Sequence, residues 1–142
     1  MLRYAVAATV AIVIVFILTA FQPTTLPLKL ELACTPAQWD AGLSGRASLD
    51  QKAGMLFVLS PEKDWGFWMK GMRFPLDIYW LDSSGKITAK ESLRPCVTLL
   101  TYPEQTVCPT YTHSAKYVLE TNVGALGWSA GRQLNTRSFP VC

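Results

Sequence analysis

Aromatic and cationic side chains are concentrated in one short stretch of the chain, residues 67–77. If this stretch begins as a strand, Trp68 and Lys70 project to the same side of it, because side chains alternate along a strand. With Arg46 and Asp77 they would line a cleft. Indole rings and cations in one cleft suit an anionic or a carbohydrate ligand. The structural alternative is an arginine–aspartate pair that holds a loop beneath an aromatic core.

Carboxylates form the second set of residues that can carry chemistry. Two carboxyl groups at a suitable separation can hydrolyse a glycosidic bond, one of them as the acid. Asp77, Glu91 and Glu120 are the candidates, and they make an envelope-polymer hydrolase the enzymatic alternative. His113, the only histidine, is predicted to lie in a loop. The sequence therefore favours a non-enzymatic role, and no cofactor is expected.

Sulfur ligands raise a third possibility, a copper-binding module. Met55, Met69 and Met72, together with His113, belong to the ligand types that copper accepts. Met55 and Met69 lie in apolar strand patterns, however, where methionine usually fills the core. Copper binding is therefore kept as an alternative, and no metal site is assigned.

The four cysteines indicate disulfide bonds rather than a zinc site, because the chain contains no Cys-x-x-Cys pair. Cys96 and Cys108 bracket a proline-containing loop, and a bridge between them would contribute about 3 kcal/mol to stability in the chain-entropy model. Cys34 and Cys142 lie near the two ends of the domain. Chain ends often lie close together in a domain, so a second bridge is possible there.

An uncharged apolar segment at residues 4–21 precedes the domain. Its eighteen residues would span roughly 27 Å as a helix, close to the hydrocarbon thickness of a bilayer. This length favours a signal anchor within residues 1–22, with the domain outside the cytoplasm, periplasmic or at the cell surface. Arg3, on the N-terminal side, agrees with that orientation. The alternative is a signal peptide cleaved near Ala20 and a secreted domain.

Charge and composition limit the partners. The net charge of +3 is spread along the chain without a basic stripe, which argues against nucleic-acid binding. The predicted partners are the membrane, through the N-terminal helix, and an unidentified envelope ligand or protein. Residues 23–27 are interpreted as a linker, and residues 28–142 as one β-rich extracytoplasmic domain of ordinary size.

The elements that must position these side chains are mostly short strands. Period-two alternation or bounded apolar runs predict strands at 28–32, 54–59, 66–70, 76–81, 86–93, 116–121 and 133–141. Thr35-Pro36 is typical of a helix start and predicts a short helix over 36–42, and a second is predicted over 122–129. The predicted fold is mainly β, a compact sandwich or small barrel of about seven short strands with two short helices.

Several motifs occur in the order typical of one family. They are ELA (31–33), TPA (35–37), GLSGR (42–46), GMLFV (54–58), FWMK (67–70), PLDI (75–78), Cys96, CPTY (108–111) and YVLE (117–120). In this order the chain resembles domain-of-unknown-function family 192 (DUF192) over about residues 28–139. The resemblance implies a compact, often exported β-rich domain and no particular activity. Cys34 and Cys142 depart from the family pattern, so a bridge between them would be peculiar to this protein.

Overall fold

The computed structural model describes residues 27–98 and 106–142. The predicted anchor, with the possible cleavage position at Ala20, and most of the linker lie outside the described residues. Within the described ranges, no helix is long and apolar enough to cross a membrane.

The domain is built on one five-stranded sheet with the strand order β1-β2-β7-β3-β4. Strand β1 is parallel to β2, and the other neighbours in the sheet are antiparallel. A separate two-stranded ribbon joins β5 and β6. The elements are β1 Lys29–Ala33, α1 Pro36–Ala41, β2 Ala53–Phe67, β3 Leu76–Leu81, β4 Ile87–Leu93, β5 Val97–Thr98, β6 Thr106–Val107, β7 Tyr111–Asn122 and a 3-10 turn at Thr136–Ser138.

Both faces of the sheet are covered, which explains why every residue of the central strand β3 is buried. On the first face, Phe57, Trp80 and Val118 belong to a core cluster under α1 and the loop that follows β2. On the second face, Tyr79 and Leu119 pack against the C-terminal segment. A strand buried on both sides lacks polar alternation, and Asp77 is the one charged residue of β3.

The mainly β prediction is confirmed, but the finer architecture is not. In the described residues five strands form the main sheet, two form the β5–β6 ribbon and one α helix is present, so the predicted arrangement of seven short strands with two helices is not confirmed. In the part of the chain that the structure describes, the sheet is open, with β1 and β4 at its edges. The C-terminal segment covers the second face of this sheet through side-chain packing.

Two local predictions are wrong at the C-terminal end. The predicted helix over 122–129 is a succession of turns, and the predicted strand over 133–141 contains the 3-10 turn and one isolated bridge, between Lys86 and Gln133. Gly124 and Gly131 both have positive φ, which interrupts regular structure in this segment. The apolar side chains of this segment, among them Trp128 and Phe139, instead pack individually into the core on the second face of the sheet.

Strand β2 is longer than predicted. The sequence suggested two strands separated by a loop over 60–66, whereas one strand runs from Ala53 to Phe67. Its pairing with β7 shifts register between Val58 and Lys63 and then continues to Tyr111. Polar residues at 60–64 are exposed on this ribbon, so they do not prevent pairing. The extension carries Trp65 and Phe67 up beside α1.

Both predicted disulfides are present. Cys34 is bonded to Cys142 and Cys96 to Cys108, with Cα–Cα distances of 5.7 and 4.9 Å. Two disulfides in a small domain are typical of an oxidising, extracytoplasmic compartment. The first bridge ties the C-terminal residue to the end of β1, directly before α1.

Candidate functional site

A cavity of about 380 Å³ lies on the first face of the sheet, between α1, β2 and the loop after β2. We refer to it as the tryptophan cavity. It is lined by five aromatic rings, three charged groups and smaller residues, namely Trp39, Phe57, Trp65, Phe67, Trp68, Asp40, Lys70, Glu120, Pro36, Ala41, Gly42, Leu43, Ser44, Leu59, Gly66 and Met72. This volume falls within the range typical of small-molecule sites.

Helix α1 forms one wall of the cavity. Thr35 caps it, Pro36 occupies its first turn, and a capping box with Gln38 satisfies the first backbone donors. The indole nitrogen of Trp39 donates to the carbonyl of Ala33 at 3.0 Å, which orients the ring. The ring then meets Trp65 edge-to-face, with 5.5 Å between centroids. The short helix therefore presents a fixed aromatic surface to the cavity.

The loop after β2 places Trp68 and Lys70 at the cavity. Ser44 donates through its hydroxyl to the carbonyl of Lys70 at 3.1 Å, and the amide of Gly45 donates to the carbonyl of Gly71 at 2.9 Å. Gly71 has a φ of 73°, which a residue with a side chain rarely adopts. Trp68 is 45% exposed and Lys70 is also exposed, so both stand at the rim.

Replacing Gly71 by alanine should lower the free energy of unfolding by about 2 kcal/mol, because positive φ is costly for alanine. Its Cβ would also collide with the hydroxyl of Ser44. Urea denaturation followed by circular dichroism measures the change. Gly127→Ala is the matched control, since a Cβ there meets nothing within 4 Å. Equal stability of the two variants would contradict this account of the loop.

Glu120 is the buried ionisable group of the cavity lining. It is 5% exposed, and its neighbours across the sheet are Met55 and Ile78. Within the described ranges, no donor is hydrogen-bonded to its side chain, and burial raises the pKa of its carboxyl to about 8. At neutral pH the cavity floor therefore holds a protonated acid that can both donate and accept.

Asp77, the other buried acid, differs from Glu120 because its carboxylate has several partners within the chain. It accepts hydrogen bonds from the hydroxyl of Ser92 and the amide of Gly124, and it pairs with the ammonium of Lys90 at 3.0 Å. Burial by itself would raise the pKa of Asp77, but these partners hold it below its usual value. Asp77 is outside the cavity lining and acts as the centre of a structural network.

Arg46 is also outside the lining. Its guanidinium binds both carboxylate oxygens of Glu31 at 2.7 and 2.8 Å, joining the loop after α1 to strand β1. The predicted cluster therefore separates: Trp68 and Lys70 line the cavity, whereas Arg46 and Asp77 do not. The arginine–aspartate pair suggested as the structural alternative is not formed, because each residue has a different partner.

The carboxylate and methionine candidates are also dispersed. Of Asp77, Glu91 and Glu120, the last alone lines the described cavity, and Glu91 lies 3.3 Å from the ring nitrogen of His113. Met55 and Met69 are buried in the core and Met72 lines the cavity. No group of three or more histidine, cysteine or acidic residues suited to a metal occurs in the described ranges.

Two motifs of serine enzymes occur in the chain without the geometry that they require. Residues 127–131 match Gly-x-Ser-x-Gly, but no helix follows Ser129, so the strand–turn–helix elbow is missing. Ser60 precedes Lys63 by three residues within strand β2, but the ammonium of Lys63 lies over the ring of Trp65, 4.4 Å from its centroid. Ser83 and Lys86 have the same spacing and lie at the turn before β4. These serines are therefore not candidate nucleophiles.

Sequence reasoning missed Trp39, Trp65 and Asp40 as cavity residues. Trp39 lies in an amphipathic turn of helix and Trp65 in a stretch predicted as loop, so neither pattern indicated a shared cavity. The available signal was compositional, since four of the five tryptophans fall between residues 39 and 80. Aromatic residues with a polar tip are common at binding surfaces.

The chain belongs to DUF192, the family described as "Uncharacterized ACR", whose sequence profile matches residues 18–135. The resemblance noted from the motifs is thereby confirmed. A comparison with curated proteins finds no match.

Two crystal structures share the fold. One, of a candidate transcription regulator from Sinorhizobium meliloti 1021, is 30% identical, with a TM-score of 0.61, over 79% of this chain and 84% of that chain. The other, of a protein of unknown function from Novosphingobium aromaticivorans DSM 12444, is 27% identical, with a TM-score of 0.60, over 75% and 73% of the two chains. These structures confirm the fold and leave the ligand to be argued from the cavity.

Proposed function

We propose that this protein is a membrane-tethered, extracytoplasmic module that binds a small carbohydrate in the tryptophan cavity. One observation carries the proposal: tryptophan rings and a buried carboxyl without a described partner converge on one cavity. The C–H-bearing face of a sugar ring packs well against an indole face, because the aromatic face carries partial negative charge. A protonated carboxyl can donate to one sugar hydroxyl and accept from another.

The charge of the lining favours a carbohydrate over an anionic ligand. Asp40 and Glu120 are both acidic, and Lys70 is the cation that the described lining offers. An anion deep in the cavity would lie beside Glu120 rather than beside a cation, and the protonated carboxyl could donate only one hydrogen bond to it. Lys70, at the exposed rim, can instead reach an outer hydroxyl or acidic substituent of a sugar.

The proposed location depends on two independent features. The disulfides Cys34–Cys142 and Cys96–Cys108 support an oxidising compartment. The apolar segment at residues 4–21 has the length and flanking charge of a signal anchor. A short linker after the anchor would keep the cavity within reach of envelope polymers near the bilayer.

Titration of the purified domain with a panel of monosaccharides tests the proposal, with tryptophan fluorescence and calorimetry as readouts. Trp68→Ala should weaken sugar binding at least tenfold, about 1.4 kcal/mol, because it removes a ring from the rim. Since Trp68 is 45% exposed, the free energy of unfolding should change by less than about 0.5 kcal/mol. Affinity should therefore fall without loss of the fold.

Val123→Ala is the control, an exposed apolar residue outside the cavity lining, and it should bind sugars like the wild type. Uronic acids, the anionic counterparts of the neutral sugars, test the charge argument. If the folded protein binds no sugar on the panel, the proposal is wrong. If uronic acids bind and the matching neutral sugars do not, the cavity recognises the negative charge rather than the sugar ring and is an anion site.

A further inference from the structure

The fold satisfies one of its two buried carboxyls and leaves the other without a described donor. Asp77 receives an ammonium, a hydroxyl and a backbone amide from its own chain. Glu120 is 5% exposed and lines the cavity, and within the described ranges its side chain receives no hydrogen bond. Because the carboxyl lines the cavity, a donor group of a bound ligand can reach it and form the hydrogen bond that Asp77 receives from its own chain.

The aromatic walls indicate what kind of donor fits. The faces of indole and phenyl rings attract cations, and five such rings line the cavity. Trp65 already shows this preference, since the ammonium of Lys63 lies 4.4 Å from its ring centroid. The rings and the lone carboxyl therefore favour the same type of group, a small cation.

The positions of the charges give the ligand an orientation. Glu120 lies at the floor, and the described acidic lining residues outnumber Lys70, which stands at the rim. An ammonium that enters the cavity favours the ionised form of Glu120, and a hydrogen bond between a carboxylate and an ammonium is roughly twice as strong as one between neutral groups. A cationic substituent of the ligand thus gains more by pointing inward, with its neutral or acidic side toward Lys70.

We infer that the ligand is an amino sugar whose protonated amine pairs with Glu120 while its ring packs against the tryptophans. This inference rests on the proposed carbohydrate function and specifies the ligand class. It assigns Glu120 as the residue that distinguishes an amine from a hydroxyl at the same ring position. The remaining lining residues contact the sugar ring, which all sugars possess, and so they do not distinguish an amine from a hydroxyl.

Three sugars with the same ring test this assignment: glucosamine, N-acetylglucosamine and glucose, each titrated calorimetrically against the full folded domain at pH 7.5. Glucosamine should bind about tenfold more tightly than the other two. Glu120→Gln keeps the shape of the side chain but cannot ionise to pair with an ammonium, so the preference for glucosamine should disappear in that variant. Glu91→Gln, a carboxyl outside the cavity lining, should keep the preference.

The possible outcomes separate the inference from the proposed function. If the three sugars bind equally well, or if N-acetylglucosamine or glucose binds most tightly, the amine assignment is overturned and the carbohydrate function stands. If none binds to folded wild-type protein, the carbohydrate function itself is wrong. The comparison of sugars on the wild type decides the matter even if Glu120→Gln does not fold. A preference for glucosamine that survives in folded Glu120→Gln also overturns the role of Glu120.

Discussion

Removal of the Cys34–Cys142 disulfide, by replacing both cysteines with alanine, will lower the free energy of unfolding by about 5 kcal/mol. The bridge joins residues 108 apart in sequence, nearly the whole domain. A cross-link that closes so long a loop removes much conformational entropy from the unfolded chain, and this entropy returns when the link is absent. A loss of this size approaches the total stability of a typical small domain.

The second disulfide provides the matched control. Cys96 and Cys108 are 12 apart in sequence, so replacing both with alanine should cost about 3 kcal/mol. Guanidinium denaturation of the two double variants and the wild type, followed by circular dichroism, measures the difference. If the Cys96/Cys108 variant is the less stable of the two, the free energy of unfolding does not depend on loop length in the expected way.

The two bridges should also differ in their effect on the cavity. Cys34 directly precedes α1, and its backbone amide donates to the side chain of Gln38 at 2.8 Å. Loss of the Cys34–Cys142 bridge therefore frees the start of the helix that carries Trp39. Sugar binding by the fraction that remains folded should weaken more in this variant than in the Cys96/Cys108 variant.

The stability of the wild-type domain should fall as the pH rises from about 5 to 8, and Glu120 should be the cause. Burial raises the pKa of this carboxyl from 4.5 to about 8 in the folded protein. Between those values the folded state keeps a proton that the unfolded state has lost. Stability then decreases by about 1.4 kcal/mol for each pH unit, and it levels off above pH 8.

Glu120→Gln should abolish most of this dependence, because glutamine does not ionise in either state. Over three pH units the wild type should lose about 3–4 kcal/mol relative to the variant. Urea denaturation at pH 5, 6, 7 and 8 gives both profiles. Glu91→Gln serves as the control and should keep the wild-type slope. Parallel profiles for wild type and Glu120→Gln would show that Glu120 is not the group responsible.

Local sequence patterns predicted the elements that depend on local interactions. Strand β1 follows from alternating leucines, and α1 from Thr35 and Pro36, whose capping contacts lie within four residues. Strand β3 follows from the apolar run at residues 78–81. Strand β2 was divided wrongly at 60–66 because its continuation depends on pairing with the distant β7, which local composition does not reveal.

The candidate site was only partly predictable for the same reason. Trp68 and Lys70 both line the cavity, but from the loop after β2 rather than from the strand predicted over 66–70, because β2 ends at Phe67. Glu120 was recognised only as a carboxyl without a known environment. Its burial depends on Met55 and Ile78, which reach it through two different strand pairings.

The sequence by itself determined that this is a mainly β DUF192 domain with cysteines suited to an oxidising compartment. Composition, spacing and motif order are properties of the linear chain, and they suffice for conclusions of that kind. The tertiary structure alone decided which acid receives hydrogen bonds from the described residues and which acid lines the cavity. Lys90, Ser92 and Gly124 converge on Asp77, whereas Glu120 faces a cavity among aromatic rings. These environments are made by contacts between residues far apart in sequence, which no local pattern encodes.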